Sequence, residues 1–136
     1  MLLLISLIAT WYMTGLCWFV QAVAYPQFAR VAIADFLTYH KAHTTWTTLV
    51  VLPPMFVELG TAIALVWRAP GDRVFQIALA LVVVCWINTF AMAGPAHEKL
   101  TRGHDPALIR RLVRVNWIRT LAWTARGVLL LWKAGG

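Results

Sequence analysis

Four apolar stretches of about 20 residues or more constrain this chain more than any motif in it. They run from Leu2 to Tyr25, Thr45 to Trp67, Val74 to Met92 and Leu108 to Trp132. At a helical rise of about 1.5 Å per residue, each can cross a hydrocarbon layer of about 30 Å. In hydrocarbon every backbone N–H and C=O must find its partner internally, which favours helices. The pattern predicts an all-α fold: one domain, residues 1–136, built as an antiparallel bundle of four transmembrane helices. Composition agrees. Hydrophobic residues make up 61% of the chain and charged residues only 12%, whereas a soluble domain is about one quarter charged. The first stretch has no basic leader, and its apolar part exceeds the roughly 7–15 residues of a signal peptide core. It is read as a retained transmembrane helix.

The connections differ in kind. "RAPGDR", from Arg68 to Arg73, is a tight polar turn joining two neighbouring helices. The connections after Pro26 and after Gly94 are longer. Asp35 is placed to start the second helix ahead of the membrane, and Pro53 and Pro54 then fall inside that helix, where a kink is expected. The net charge of +7 is unaccompanied by any nucleic-acid motif, so no nucleic acid partner is expected. In a membrane chain such an excess reports topology and contact with anionic lipid. Arg30, Lys41, Lys99, Arg102, Arg110, Arg111 and Arg114 fall on the side of the first and third connections; Arg68, Arg73 and Lys133 fall on the other. The imbalance makes the first and third connections cytoplasmic. Cys17 and Cys85 lie in apolar runs without a zinc-like spacing and read as buried core residues.

The last stretch contains "NWIRTLAWTAR", residues 116–126, with two arginines at membrane depth. Facing lipid, each would cost several kcal/mol. At 100° per residue, Asn116, Arg119, Trp123 and Arg126 share a stripe about 80° wide, which can turn inward. Glu58 is the one acid in the middle of an apolar stretch, at a depth between the two arginines. An ion pair from Glu58 to Arg119 or Arg126 is expected. Further polar residues join from the other helices: Thr14, Trp18, Gln21 and Tyr25 on the first, His40, His43, Thr47 and Glu58 on the second, Asn88 on the third. Together they predict a polar cavity open toward the first and third connections. Taken singly, Gln21, Asn88 and Thr14 read first as interhelical hydrogen-bond formers.

All four histidines fall at that same end. His40 and His43 are three apart, on one helical face, a spacing that suits two ligands of one metal ion. With His97, and Glu98 or water, they make a candidate site for zinc, copper or iron, ahead of haem. The alternative is an interfacial histidine pair bonded to water and head groups. His104, in "RGHDP", reads as a loop residue.

"YPQF" after the first helix, "FLTYHKAH" at the start of the second, "GPAHEKL" after the third and "NWIRTLAWTAR" in the fourth resemble, in this order, the small four-helix membrane proteins related to anthrone oxygenases. Many members are bacterial, which implies a bacterial inner membrane. The likeness covers most of the chain. Pro95, His97 and Leu100 match the frame of the family's Pro-x-Asn-x-x-Leu, with His97 in place of the asparagine; Asn116 and Arg119 match its asparagine–arginine pair. The resemblance implies a four-helix bundle that oxidises an aromatic, hydrophobic substrate.

Two classes of function follow. The first is a membrane oxidoreductase or oxygenase acting on a lipophilic aromatic or quinone-like molecule. Its catalytic candidates are Arg119, to hold a developing oxyanion, Tyr25, His97 and Glu58, to move protons, and Asn116. Gln21, Asn88, Trp117, Trp123 and Arg126 are the substrate-binding candidates, with Trp18 as a further stacking surface. The second is a non-catalytic accessory or lipid-binding protein whose buried charges fix helix register. Expected partners are membrane lipids, a hydrophobic small molecule and a second copy of the chain; a transporter of this size would need at least a dimer. Trp46, Trp67 and Trp132, near helix ends, read as interfacial anchors.

Overall fold

The computed structural model describes residues 1–136. It is helical throughout, with no strand. Four long helices follow one another: α1 Leu2–Phe28, α2 Phe36–Arg68, α3 Arg73–Leu100 and α4 Pro106–Gly135. α1 packs along α2 and α4, and α3 packs along the same two helices. α2 begins right after Asp35, as expected, and runs unbroken through Pro53 and Pro54. Two later starts have aspartate caps. Asp72 Oδ1 accepts from the amides of Val74 and Phe75 at 2.9 and 3.4 Å. Asp105 Oδ1 accepts from Ala107 and Leu108 at 2.8 and 3.1 Å, with Pro106 in the first turn. Each cap satisfies amides that the helix itself leaves without acceptors.

α1, α2 and α3 are long and apolar enough to cross a membrane. α4 is long enough but not apolar enough, which corrects the expectation of four equivalent apolar spans. Arg110, Arg111, Arg114, Arg119, Arg126 and Lys133 break up its apolar residues. Arg119 and Arg126 are nevertheless buried, along with Asn116, Thr120 and Trp123, so the inward stripe forms.

α1 and α3 each contain a widened π-type turn, at Val20–Ala24 and Asn88–Ala93. The sequence reading did not anticipate them. Each lies just before a proline, Pro26 or Pro95. A proline ring supplies no N–H and crowds the carbonyl four residues back, here that of Ala22 or Ala91. A locally wider turn accommodates both defects. Such turns cluster at functional sites, and here they lead directly to Tyr25 and His97.

Two apolar clusters hold the helices together. One gathers Tyr25, Phe28, Phe36, Ala96, Leu100 and Leu112 with their neighbours, so the end of α1, the start of α2, the end of α3 and the start of α4 meet. The second places Met13, Cys17, Met55, Cys85, Ala122 and Trp123 together deeper in. Near it α1 and α4 approach closely. A Cβ added to Gly127 would lie 3.1 Å from the Trp11 ring. The outer surface carries large apolar side chains along every helix, among them Ile8, Phe19, Leu49, Phe56, Ile87 and Leu131. Exposed apolar surface on that scale marks a partner or a bilayer. Trp46, Trp67 and Trp132 are all strongly exposed.

Candidate functional site

Polar side chains meet inside the helices in two layers. The deeper one centres on Arg126. Its Nη1 pairs with Glu58 Oε1 at 2.9 Å, both side chains essentially inaccessible, and also donates to Thr10 Oγ1. Nη2 donates to Ser6 Oγ at 2.9 Å and Nε to the Ala78 carbonyl at 3.2 Å. The second carboxylate oxygen of Glu58 accepts from Trp123 Nε1 at 2.7 Å. One guanidinium thus joins α1, α2, α3 and α4, and it is Arg126, not Arg119, that meets Glu58. Both oxygens of the acid are engaged, as a buried charge requires.

The shallower layer is built on Arg119, two turns nearer the N-terminus of α4. Nε donates to Asn116 Oδ1 at 3.1 Å and Nη2 donates to the same oxygen. Nη2 also donates to Tyr25 Oη at 3.3 Å, and Nη1 to Thr89 Oγ1 at 3.4 Å. Asn116 is held in turn: its Nδ2 donates to Gln21 Oε1 at 2.9 Å, and Gln21 Nε2 donates to the Val113 carbonyl at 3.3 Å. A guanidinium has five N–H groups. These contacts engage four, leaving one on Nη1. Arg119 is 8% exposed and belongs to neither ion pair of the protein, which are Arg126–Glu58 and Lys133–Asp72.

Tyr25 continues the network outward. Its hydroxyl lies 2.9 Å from His97 Nε2, and His97 Nδ1 lies 3.1 Å from His40 Nε2. A pocket of about 310 Å³ adjoins this network. Its walls come from α1, α2 and α3, and Arg119 is the sole contribution of α4. Tyr25, His43, His97 and Arg119 are its polar lining, with Thr44, Thr47, Thr48 and Thr89; Met13, Leu16, Val20, Leu52 and Phe90 are among its apolar walls. Of these threonines the sequence singled out only Thr47, although Thr44, Thr47 and Thr48 have the i, i+3, i+4 spacing of one helical face.

The remaining candidates sit elsewhere. Gln21 and Asn116 stand behind Arg119, and neither lines the pocket. Glu58, Arg126 and Trp123 belong to the deeper layer. The indole of Trp123 is 1% exposed and turned to Glu58, so it offers no face for stacking. Trp117 is 41% exposed and meets Trp18 edge-on at 5.6 Å, on the outer surface. Trp18, expected to face inward, is 42% exposed and donates to Thr124 Oγ1 at 3.1 Å. Asn88 is buried; its Nδ2 approaches Met92 Sδ at 3.5 Å and its Oδ1 has no partner.

His40, His43 and His97 do gather, but as a stack. The His97 ring lies 5.3 Å from His40 and 5.8 Å from His43, at interplanar angles of 30° and 27°. Ligands of one ion point ring nitrogens at a common centre, whereas both nitrogens of His97 already face Tyr25 and His40. His43 Nε2 faces Thr47 Oγ1 at 3.4 Å. No three His, Cys, Asp or Glu side chains are arranged to hold a metal ion.

Comparison with known proteins finds no matching family model, curated protein or solved structure.

Proposed function

We propose that the protein is an integral membrane enzyme, an antiparallel four-helix bundle whose pocket binds a flat, weakly acidic aromatic molecule and promotes its oxidation. The observation that carries this reading is Arg119: a buried guanidinium, without a carboxylate partner, at the wall of a largely apolar pocket. Burying an ion costs several kcal/mol. An anion that forms within the pocket would offset that cost, and the remaining Nη1–H is the donor for it. The pocket volume falls at the low end of the roughly 300–1,000 Å³ typical of small-molecule sites. That suits a compact ring system, not a long chain. α4 lies in the membrane with its cations turned inward or toward the head groups, and the pocket opens toward the first and third connections, the cytoplasmic end.

The resemblance to anthrone oxygenases suggests the chemistry. A ring methylene conjugated with a carbonyl through fused aromatic rings, as in anthrone, gives up a proton toward Tyr25 and His97. The electrons move onto the carbonyl oxygen, where Arg119 holds the enolate. The electron-rich anion then reacts with dioxygen. One CH₂ and one O₂ become one C=O and one water, which balances. Asn116 and Gln21 fix the guanidinium and are positioning residues. No step here runs through a metal, because the histidines are not arranged as a ligand set.

The test is oxygen uptake and quinone absorbance in lipid nanodiscs supplied with anthrone. Removing an oxyanion donor costs about 10²–10³ in rate, so Arg119→Gln is expected to lose that much and His97→Ala to fall with it. Wild-type rates no higher than those of empty nanodiscs overturn the enzyme reading. They would favour a non-catalytic protein that binds anionic lipid, a reading supported by the exposed Arg110, Arg111 and Arg114 at one end of α4.

A further inference from the structure

His40 does not line the pocket, yet its Nε2 lies 3.1 Å from Nδ1 of His97, which does. We propose that His40 is the terminal acceptor of a one-way proton relay, Tyr25 to His97 to His40, that removes the substrate proton from the pocket. The inference rests on the functional reading above and adds to it a proton's path and end point.

Direction follows from donor chemistry. Arg119 can only donate, so in its 3.3 Å contact the Tyr25 oxygen accepts. The single phenolic hydrogen is then free to point at His97 Nε2, 2.9 Å away. In this arrangement that nitrogen is bare, and neutral His97 carries its hydrogen on Nδ1 and donates it to His40 Nε2 across 3.1 Å. His40 in turn carries its hydrogen on Nδ1. Every link therefore points away from the guanidinium. When a substrate proton reaches the Tyr25 oxygen, the phenolic proton passes to His97 Nε2 and the Nδ1 proton of His97 passes to His40 Nε2. Tyr25 is again a neutral phenol, His97 is neutral in its other tautomer, and His40 is an imidazolium. The substrate has lost one proton and His40 has gained one.

Electrostatics favours the same direction. Arg119 repels an excess proton, and His40 is the member of the chain most remote from it in bonded order. Phe36 stacks on His40 at 5.6 Å and 19°, and Phe28 meets it edge-on at 5.7 Å. The other titratable groups nearby are His43, stacked on His97, Tyr39, packed on Phe28, and His104, packed on Phe36. No carboxylate pairs with any of these histidines. His40 is 1% exposed and lies about 6 Å along α2 from its first residue, near the helix end.

2-Hydroxyanthraquinone isolates this step, because it has an acidic hydroxyl, a distinct phenolate colour and no methylene to oxidise. Wild-type protein in nanodiscs is mixed with it under anaerobic conditions, with a pH indicator in the bulk. The phenolate band should rise first and proton release to the bulk should lag behind it. His40→Ala and His40→Gln should bind the neutral dye but ionise it at least tenfold more slowly, and imidazole added to His40→Ala should restore the rate. A purely structural role would not respond to imidazole. Ionisation at the wild-type rate in both variants, or slowing without rescue, overturns the relay while Arg119→Gln still separately tests the pocket. Absence of any phenolate with wild-type protein overturns the relay and the pocket reading together.

Discussion

Removing the Glu58 carboxylate tests the deeper layer most directly. The pair is 2.9 Å apart and both side chains are essentially inaccessible. Two unit charges about 4 Å apart attract by about 4 kcal/mol at an effective dielectric constant of 20. Breaking one half of a buried pair costs about 3–5 kcal/mol, because the other charge is left uncompensated. Glu58→Leu should therefore destabilise the protein by about 3–5 kcal/mol, and Arg126→Leu by a similar amount, since it also deprives Ser6, Thr10 and the Ala78 carbonyl of their donor. The double variant should cost far less than the sum, with a coupling of at least about 2 kcal/mol, because no orphan charge remains. Unfolding equilibria in mixed micelles supply all four corners of the cycle. Single variants within about 1 kcal/mol of wild type, or simple additivity, would refute the claim that the pair is buried and mutually compensated. Glu58→Gln, which keeps an acceptor for Trp123, should be milder and should retain anthrone turnover wherever it folds.

Two further outcomes concern the ends and the tight crossing. Gly127→Leu should lose about 1–3 kcal/mol by overpacking against Trp11, while Gly127→Ala should be near neutral, its helix-propensity gain offset by the contact with that ring; thermal melts compare the two. Lys133 donates to Asp72 at 2.7 Å, and that hydrogen bond holds the Asp72 carboxyl below the ordinary carboxylate range, with the capping amides of Val74 and Phe75 assisting. A carboxyl whose folded value is depressed stabilises above its unfolded value and loses that contribution as pH falls through the folded one. The melting difference between wild type and Asp72→Asn should therefore be present at neutral pH and shrink under acid; a constant difference would contradict it.

Much of this architecture is legible in the residues alone. A 3.6-residue period suffices to turn Asn116, Arg119, Trp123 and Arg126 inward, and the scarcity of acids at depth makes Glu58 their only counter-charge. Which arginine it meets is not legible, because a carboxylate between two cations one α4 face apart can reach either; Ser6, Thr10 and the Ala78 carbonyl decide it by surrounding Arg126. Angle counting failed at Trp18. An indole can satisfy its N–H at the rim of the bundle, as Trp18 does with Thr124, while its ring stays outside. The histidines illustrate a different limit. Spacing brings His40 and His43 to one face, but ring orientation depends on Tyr25 and Phe28 from α1 and on the widened turns before Pro26 and Pro95. Those turns break the periodicity on which the counting relies.

The convergence of all four helices on Arg126 also orders the chain's birth. A ribosome delivers Ser6 and Thr10, then Glu58, then Ala78, and only afterwards the cation that unites them. Until α4 docks, the Glu58 carboxylate sits in an apolar helix without its cation, and the three earlier helices lack their common clasp.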